Sequence, residues 1–159
     1  RTELEPGGPA VLVSCDMRSG DVSAVDVASD PPRATRLASV GHPAHVEPCD
    51  LDGDGATDLV VADLGSFQPE DHARGRVVWL RKTGPRRYDS VVLLDGVGRV
   101  ADVRPGDFDG DGDQDLVVAE FGWQSTGAVR LLVNDGGGGQ TRFAARVVDG
   151  RHGAIHVPA

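Results

Sequence analysis

Apolar residues in this chain come in short runs. Leu59–Leu64 and Leu116–Phe121 are two of them, followed by Arg76–Arg81 and Ala128–Val133, then by Tyr88–Leu94 and Arg142–Val148. The runs are short, rich in Val and Leu, and bounded by Gly, Asp or Asn, which is the pattern of β-strands joined by tight turns. Lys82–Arg86 and Asn134–Gln140, the latter holding four consecutive glycines, read as turns. No stretch sustains a period of roughly 3.6 residues between caps, so essentially no helix is expected.

The runs belong to an internal repeat. Residues 50–65 read DLDGDGATDLVVADLG and residues 107–122 read DFDGDGDQDLVVAEFG, identical at 11 of 16 positions with an offset of 57. Ala44, Val46 and Pro48 pair with Ala101, Val103 and Pro105 in the same register. One unit holds four strands: one before the Asp-rich segment, one directly after it, and two more. Four strands at this period suit a propeller blade better than a solenoid coil. The expected organisation is a partial blade over 1–41, blades over 42–98 and 99–151, and the first strand of a next blade over 152–159. In the partial blade Leu12–Arg18, Asp21–Val27 and Ala34–Val40 are strands, and residues 1–8 (RTELEPGG) stand where an Asp loop would be. Gly153–Ala159 (GAIHVPA) carries the last assignment through its similarity to Pro43–Cys49 (PAHVEPC). The fold class is all-β, built of four-stranded antiparallel blades. Propellers close with roughly 4–8 blades, so the expectation is a piece of a larger propeller, or assembly with other copies.

Composition sharpens this picture. The net charge is 16 − 25 = −9, and the two Asp-rich segments alone hold four and five aspartates. The acidity is therefore local. No basic patch suited to nucleic acid and no Lys/Arg-rich face suited to a membrane stands out. No apolar run reaches the roughly 18 residues of a membrane span. The chain starts at Arg1 with neither an initiator Met nor an export leader, which reads as a cut or boundary. Two cysteines, Cys15 and Cys49, are too few for a disulfide scaffold and read as small buried thiols, a disulfide being the alternative.

Both Asp-rich segments read D-x-D-G-D-G-x-x-D. Calcium takes about six to eight oxygens from a flexible cage, and aspartates at positions 1, 3 and 5 converge if the chain curls around one point. Gly55 and Gly112 at position 6 allow the sharp turn. Position 7 offers a backbone carbonyl, from Ala56 or Asp113, and position 9 closes the cage. The proposed ligands of two Ca²⁺ sites are Asp50, Asp52, Asp54, Ala56 and Asp58, and Asp107, Asp109, Asp111, Asp113 and Asp115. Like charges this close repel without a cation, so metal should couple to stability. An EF-hand is excluded. It needs Glu at position 12 and flanking helices, whereas Val61 and Val118 stand there inside strand-like runs.

DLDGDGATDLVVADLG and DFDGDGDQDLVVAEFG resemble the FG-GAP/VCBS repeat, the blade of the integrin α-subunit head, over about residues 9–159. The resemblance implies structural calcium in a loop between the first two strands of a blade, and usually about seven blades. It carries no adhesion apparatus with it. Its setting is extracellular or periplasmic, which agrees with loops of this kind filling at Kd of about 10⁻⁴–10⁻³ M. The expected role is a non-catalytic scaffold or recognition module, the alternative being an accessory propeller in a larger secreted enzyme, either polysaccharide-acting or redox. An unknown protein or glycan is the expected ligand, and further blades or copies the expected neighbours. Loop Ser66–Gly75 is ten residues against five in its counterpart Trp123–Gly127. It supplies the ligand-contact candidates Phe67, Glu70, Asp71 and His72, joined by Trp123. Ser66, His72 and Asp71 lack the elbow or oxyanion signature of a catalytic triad. His45, Asp102 and His156 match one another on the first strands and read as lining a central channel. Asp16, Asp63 and Glu120 match on the second strands, as an acidic arc or as solvated strand ends. Trp79 reads as strand packing.

Overall fold

The computed structural model describes residues 2–5, 7–136 and 141–157. Among these residues there is no helix, and the strands form three four-stranded antiparallel sheets. The first contains β1 (Thr2–Glu3), β2 (Ala10–Asp16), β3 (Asp21–Asp26) and β4 (Arg33–Ser39). The second contains β5 (Pro43–Cys49), β6 (Asp58–Asp63), β7 (Gly75–Gly84) and β8 (Arg87–Val97). The third contains β9 (Val100–Gly106), β10 (Asp115–Glu120), β11 (Ala128–Asn134) and β12 (Phe143–Asp149). Order in space follows order in sequence in every sheet, so each is a meander of the propeller-blade type.

The structure departs from the sequence reading in three places. Thr2–Glu3 pairs with Val11 and Ala10 and gives the first sheet a short fourth strand. Strands β7 and β8 run past the expected turn: Lys82 pairs with Tyr88 and Gly84 with Arg87, which shrinks the turn to Pro85–Arg86. Pro85 fixes its own φ, and Arg86 then adopts φ 53, the left-handed second position that usually falls to Gly or Asn. Finally, Gly153–Val157 forms no strand. Its Ala154 N–H donates to the Glu120 carbonyl and its Val157 N–H to the Asp102 carboxylate. Residues 137–140 of the expected glycine turn and 158–159 of the expected strand lie outside the described residues.

The core explains why the second strand of each repeat is unbroken in apolar residues. All six residues of β6 are buried. Val60 and Ala62, with Val77, Trp79 and Leu51, face Val103, Leu116, Val118 and Leu132 of the third sheet. Leu59 and Val61, with Val78 and Leu80, face Val11, Val22 and Ala24 of the first. A strand covered on both faces cannot alternate polar and apolar residues. Each such Val or Leu contributes about 1.5–3 kcal/mol of burial. The three sheets do not close into a ring. Leu51 is 2% exposed between the second and third sheets, while Phe108, one repeat later, is 46% exposed with its ring folded over Gly106.

Candidate metal centres

Each Asp loop joins the first two strands of its sheet, from Cys49 to Asp58 and from Gly106 to Asp115. Both loops turn back on themselves through left-handed glycines: Gly53 and Gly55 at φ 70 and 85, Gly110 and Gly112 at φ 84 and 95. A Cβ at any of the four would meet open space, so the backbone conformation and not crowding demands glycine. The curl is held by the same two bonds in both copies. The position-6 N–H donates to the position-1 carboxylate, Gly55 to Asp50 Oδ2 at 2.9 Å and Gly112 to Asp107 Oδ2 at 3.2 Å. The position-7 N–H donates to the position-5 carboxylate, Ala56 to Asp54 Oδ1 at 2.8 Å and Asp113 to Asp111 Oδ1 at 2.9 Å.

This geometry gathers carboxylates. One oxygen from each of Asp50, Asp52 and Asp54 lies within 4.8 Å of the others, and the same holds for Asp107, Asp109 and Asp115. The two clusters could each hold a metal ion. They are not identical, because the first uses positions 1, 3 and 5 and the second uses 1, 3 and 9. The first loop also leaves donorless oxygens: Asp50 Oδ1 and Asp52 Oδ1 are buried without a partner, while Asp52 Oδ2 has no hydrogen bond but an ion pair with Arg81 Nε at 2.8 Å. Buried carboxylate oxygens without partners are costly, and a hard cation is the partner that an all-oxygen donor set suits. In the second loop, burial and the charges of Asp111, Asp115 and Asp107 raise the pKa of Asp109.

Position 9 is bonded into the sheet. The Asp58 carboxylate accepts from Lys82 N–H at 2.7 Å, Trp79 Nε1 at 2.9 Å and Leu51 N–H at 3.3 Å. Asp115 accepts from Asn134 N–H at 2.8 Å and Phe108 N–H at 2.9 Å. Both side chains therefore tie the loop to the third strand of the sheet. Burial raises the Asp58 pKa against those donors. Trp79 is the packing residue expected, and its N–H finds the buried acceptor that a buried indole needs.

The long loop of the second sheet is clamped to its neighbour. Asp71 accepts from the N–H groups of Gln124 and Ser125 and from the hydroxyls of Ser125 and Thr126. These bonds, Ser125 first, pull its pKa down to about 2. Arg99 reaches across to the Gln68 carbonyl. Phe67 and Trp123 are exposed at 54% and 47%, and Trp123 packs edge-on against Phe121 at 6.5 Å. Glu70 accepts from Ser66 and Arg74, and His72 Nδ1 accepts from Arg74 N–H. Ser66, His72 and Asp71 make no hydrogen bond to one another, so they form no relay.

His45, Asp102 and His156 do converge. Asp102, 2% exposed, lies 3.3 Å from His45 Nε2 and 2.5 Å from His156 Nδ1. Burial opposes its ionisation, yet Val157 N–H, His45, Arg104 and His156 together hold its pKa below the usual value. Sequence reasoning missed two members of this cluster. Glu47 lies 3.0 Å from His45 and 2.8 Å from Arg104, and Arg104 also faces Asp102. Each is two residues along its strand from a histidine or aspartate already singled out, hence on the same face. Asp63 and Glu120 are neither an arc nor solvated. Both are buried and paired, Asp63 with Arg76 and Glu120 with Arg130. Asp16 caps the following turn through Arg18 and Ser19 N–H. Cys15 and Cys49 are free thiols on β2 and β5, and burial pushes Cys49 up to about 12.

Among the described residues no helix is long and apolar enough to cross a membrane. Comparison with curated proteins and with solved structures returns no match. Residues 50–118, from the first aspartate of one loop to the second strand of the next repeat, match the model of the FG-GAP-like repeat. Over this stretch, less than half of the chain, the sequence is similar to an FG-GAP-like repeat, and the sheets around it form a propeller-type array.

Proposed function

We propose that the chain is a calcium-stabilised, non-catalytic propeller segment that serves outside the cytosol as a scaffold or recognition surface. The observation that carries this reading is the loop geometry made twice in register, with Asp50 Oδ1 and Asp52 Oδ1 of the first loop buried and met by no hydrogen-bond donor. Asp50, Asp52 and Asp54 would hold one Ca²⁺, and Asp107, Asp109 and Asp115 the other, with the Ala56 and Asp113 carbonyls and water completing each shell. The ion cancels carboxylate repulsion in a loop whose ninth residue is bonded into the core, so its binding stabilises the sheet. Affinities suited to exposed loops, at Kd of about 10⁻⁴–10⁻³ M, fill only in calcium-rich compartments, which supports a secreted setting. A partner, protein or glycan, would meet Phe67, Trp123 and the clamped loops around them, since binding favours loops held on a rigid frame.

Thermal unfolding tests the metal assignment. At 2 mM Ca²⁺ a site with Kd of about 10⁻⁴ M adds about 2 kcal/mol. Two sites should therefore raise Tm by about 5–15 °C in a chain of this size. Mg²⁺, which prefers stricter octahedral geometry, should do much less. Asp52→Ala with Asp109→Ala should abolish the shift, and a wild-type Tm indifferent to calcium and chelator would refute the assignment.

A further inference from the structure

The two loops are not electrostatically equivalent. Arg81 Nε lies 2.8 Å from Asp52 Oδ2. The approach is off the N–H direction, so the contact is an ion pair without a hydrogen bond, and Asp52 Oδ1 has no partner at all. The Asp52 side chain is 3% exposed. The guanidinium is itself propped on the Trp79 ring at 5.6 Å, which fixes it beside the cluster. One residue on, Lys82 reaches the Leu4 carbonyl and Glu5, a second cation near the same loop.

The second loop lacks this feature. Leu59 pairs with Leu80 and Leu116 with Leu132, so the residue in register with Arg81 is Val133. The backbone bonds agree: Lys82 N–H meets Asp58 where Asn134 N–H meets Asp115. Among the described residues no cationic nitrogen lies within 4.0 Å of a carboxylate of the second loop.

We propose that Arg81 is a built-in counter-ion of the first loop, so that calcium fills the second loop first and the first loop only at higher concentration. This rests on the calcium reading given above. The free Asp52 Oδ1 means that the ion need not expel the guanidinium. It has to bind beside it, and a unit charge about 5 Å from a dication weakens binding about tenfold even under water-like screening.

The test isolates each loop in the full chain and titrates it with CaCl₂ by calorimetry. Asp107→Asn with Asp109→Asn leaves the first loop, and Asp50→Asn with Asp52→Asn leaves the second. The second loop should bind about tenfold or more tightly than the first. Arg81→Gln in the first-loop background should tighten it about tenfold, and Val133→Arg in the second-loop background should weaken it by a similar factor. Circular dichroism selects whichever of these two variants keeps its sheet signal. Equal affinities, a tighter first loop, or a folded Arg81→Gln protein with unchanged or weaker binding would overturn the proposal while leaving calcium binding intact. Absence of binding in the unmutated chain would overturn the calcium reading itself.

Discussion

Asp58 separates the two tasks of the Asp loop, and its replacement gives the sharpest prediction. In Asp58→Asn one carboxylate oxygen becomes an NH₂ group. The amide settles in the rotamer that keeps its oxygen towards Trp79 and Leu51, so that only Lys82 N–H faces a donor. A hydrogen bond to a charged acceptor is worth about 1.5–3 kcal/mol. Loss of one, eased by removal of a carboxylate that burial already disfavours, comes to about 2 kcal/mol. In a chain of this length that lowers Tm by roughly 4–8 °C. Asp54→Asn is the contrast: its side chain is exposed, and the amide oxygen can still accept from Ala56 N–H. Its cost in chelator should stay within about 0.5 kcal/mol. Thermal melts in chelator and in 2 mM calcium measure both. Asp58→Asn should lose stability in either buffer, Asp54→Asn only part of the calcium increment. A chelator Tm for Asp58→Asn equal to wild type would show that the residue is not a core anchor, refuting the argument.

Gly112→Ala forces a Cβ into φ 95 and should cost about 1–2 kcal/mol in urea unfolding, while Gly84→Ala, outside the left-handed region and with no contact closer than 3.9 Å, should be nearly neutral. Asp71→Ala should free the loop 66–74 from residues 124–126, seen as faster proteolytic nicking of that loop with the core melt unchanged. The same clamp titrates: because the Asp71 pKa is depressed to about 2, its contribution is complete above the ordinary value of 3.8 and disappears as pH falls through about 2. A loop whose Ser125 amide resonance follows no acid titration would refute the clamp.

The repeat made the strands and loops legible because a curled loop of converging carboxylates and β-pleating both demand residues at fixed intervals. Where structure depends on a partner strand, the sequence was less informative. Pro43–Cys49 is a strand because β6 lies beside it, with Val46 opposite Val61. Gly153–Val157 has a similar composition but pairs with no strand among the described residues, and its Ala154 and Val157 amides go to Glu120 and Asp102 instead. Thr2–Glu3 had the reverse history: polar and two residues long, it pairs because β2 presents an edge. Arg81 is a charged residue at the end of an apolar run, which in sequence alone reads as solvent-facing. Only the cross-strand register puts it against Asp52.

Asp63 and Glu120 show how a repeat can hide its own logic. Both occupy the same repeat position, and both bind the link that enters their sheet from the preceding one. Asp63 Oδ1 accepts from His42 N–H at 2.8 Å, whereas Glu120 Oε1 accepts from Gly98 N–H at 2.8 Å. With the offset of 57, Gly98 matches Gly41, so the longer acid reaches one residue further back along the link. A Cβ on Gly41 would sit 2.5 Å from the Asp63 carboxylate, and one on Gly98 would sit 2.6 Å from that of Glu120. Glycine and acid are thus one device: the small residue lets a buried carboxylate close on the backbone, and Arg76 or Arg130 neutralises it. The acid at the end of the second strand therefore holds successive sheets together, a role opposite to the solvated end that its charge suggests.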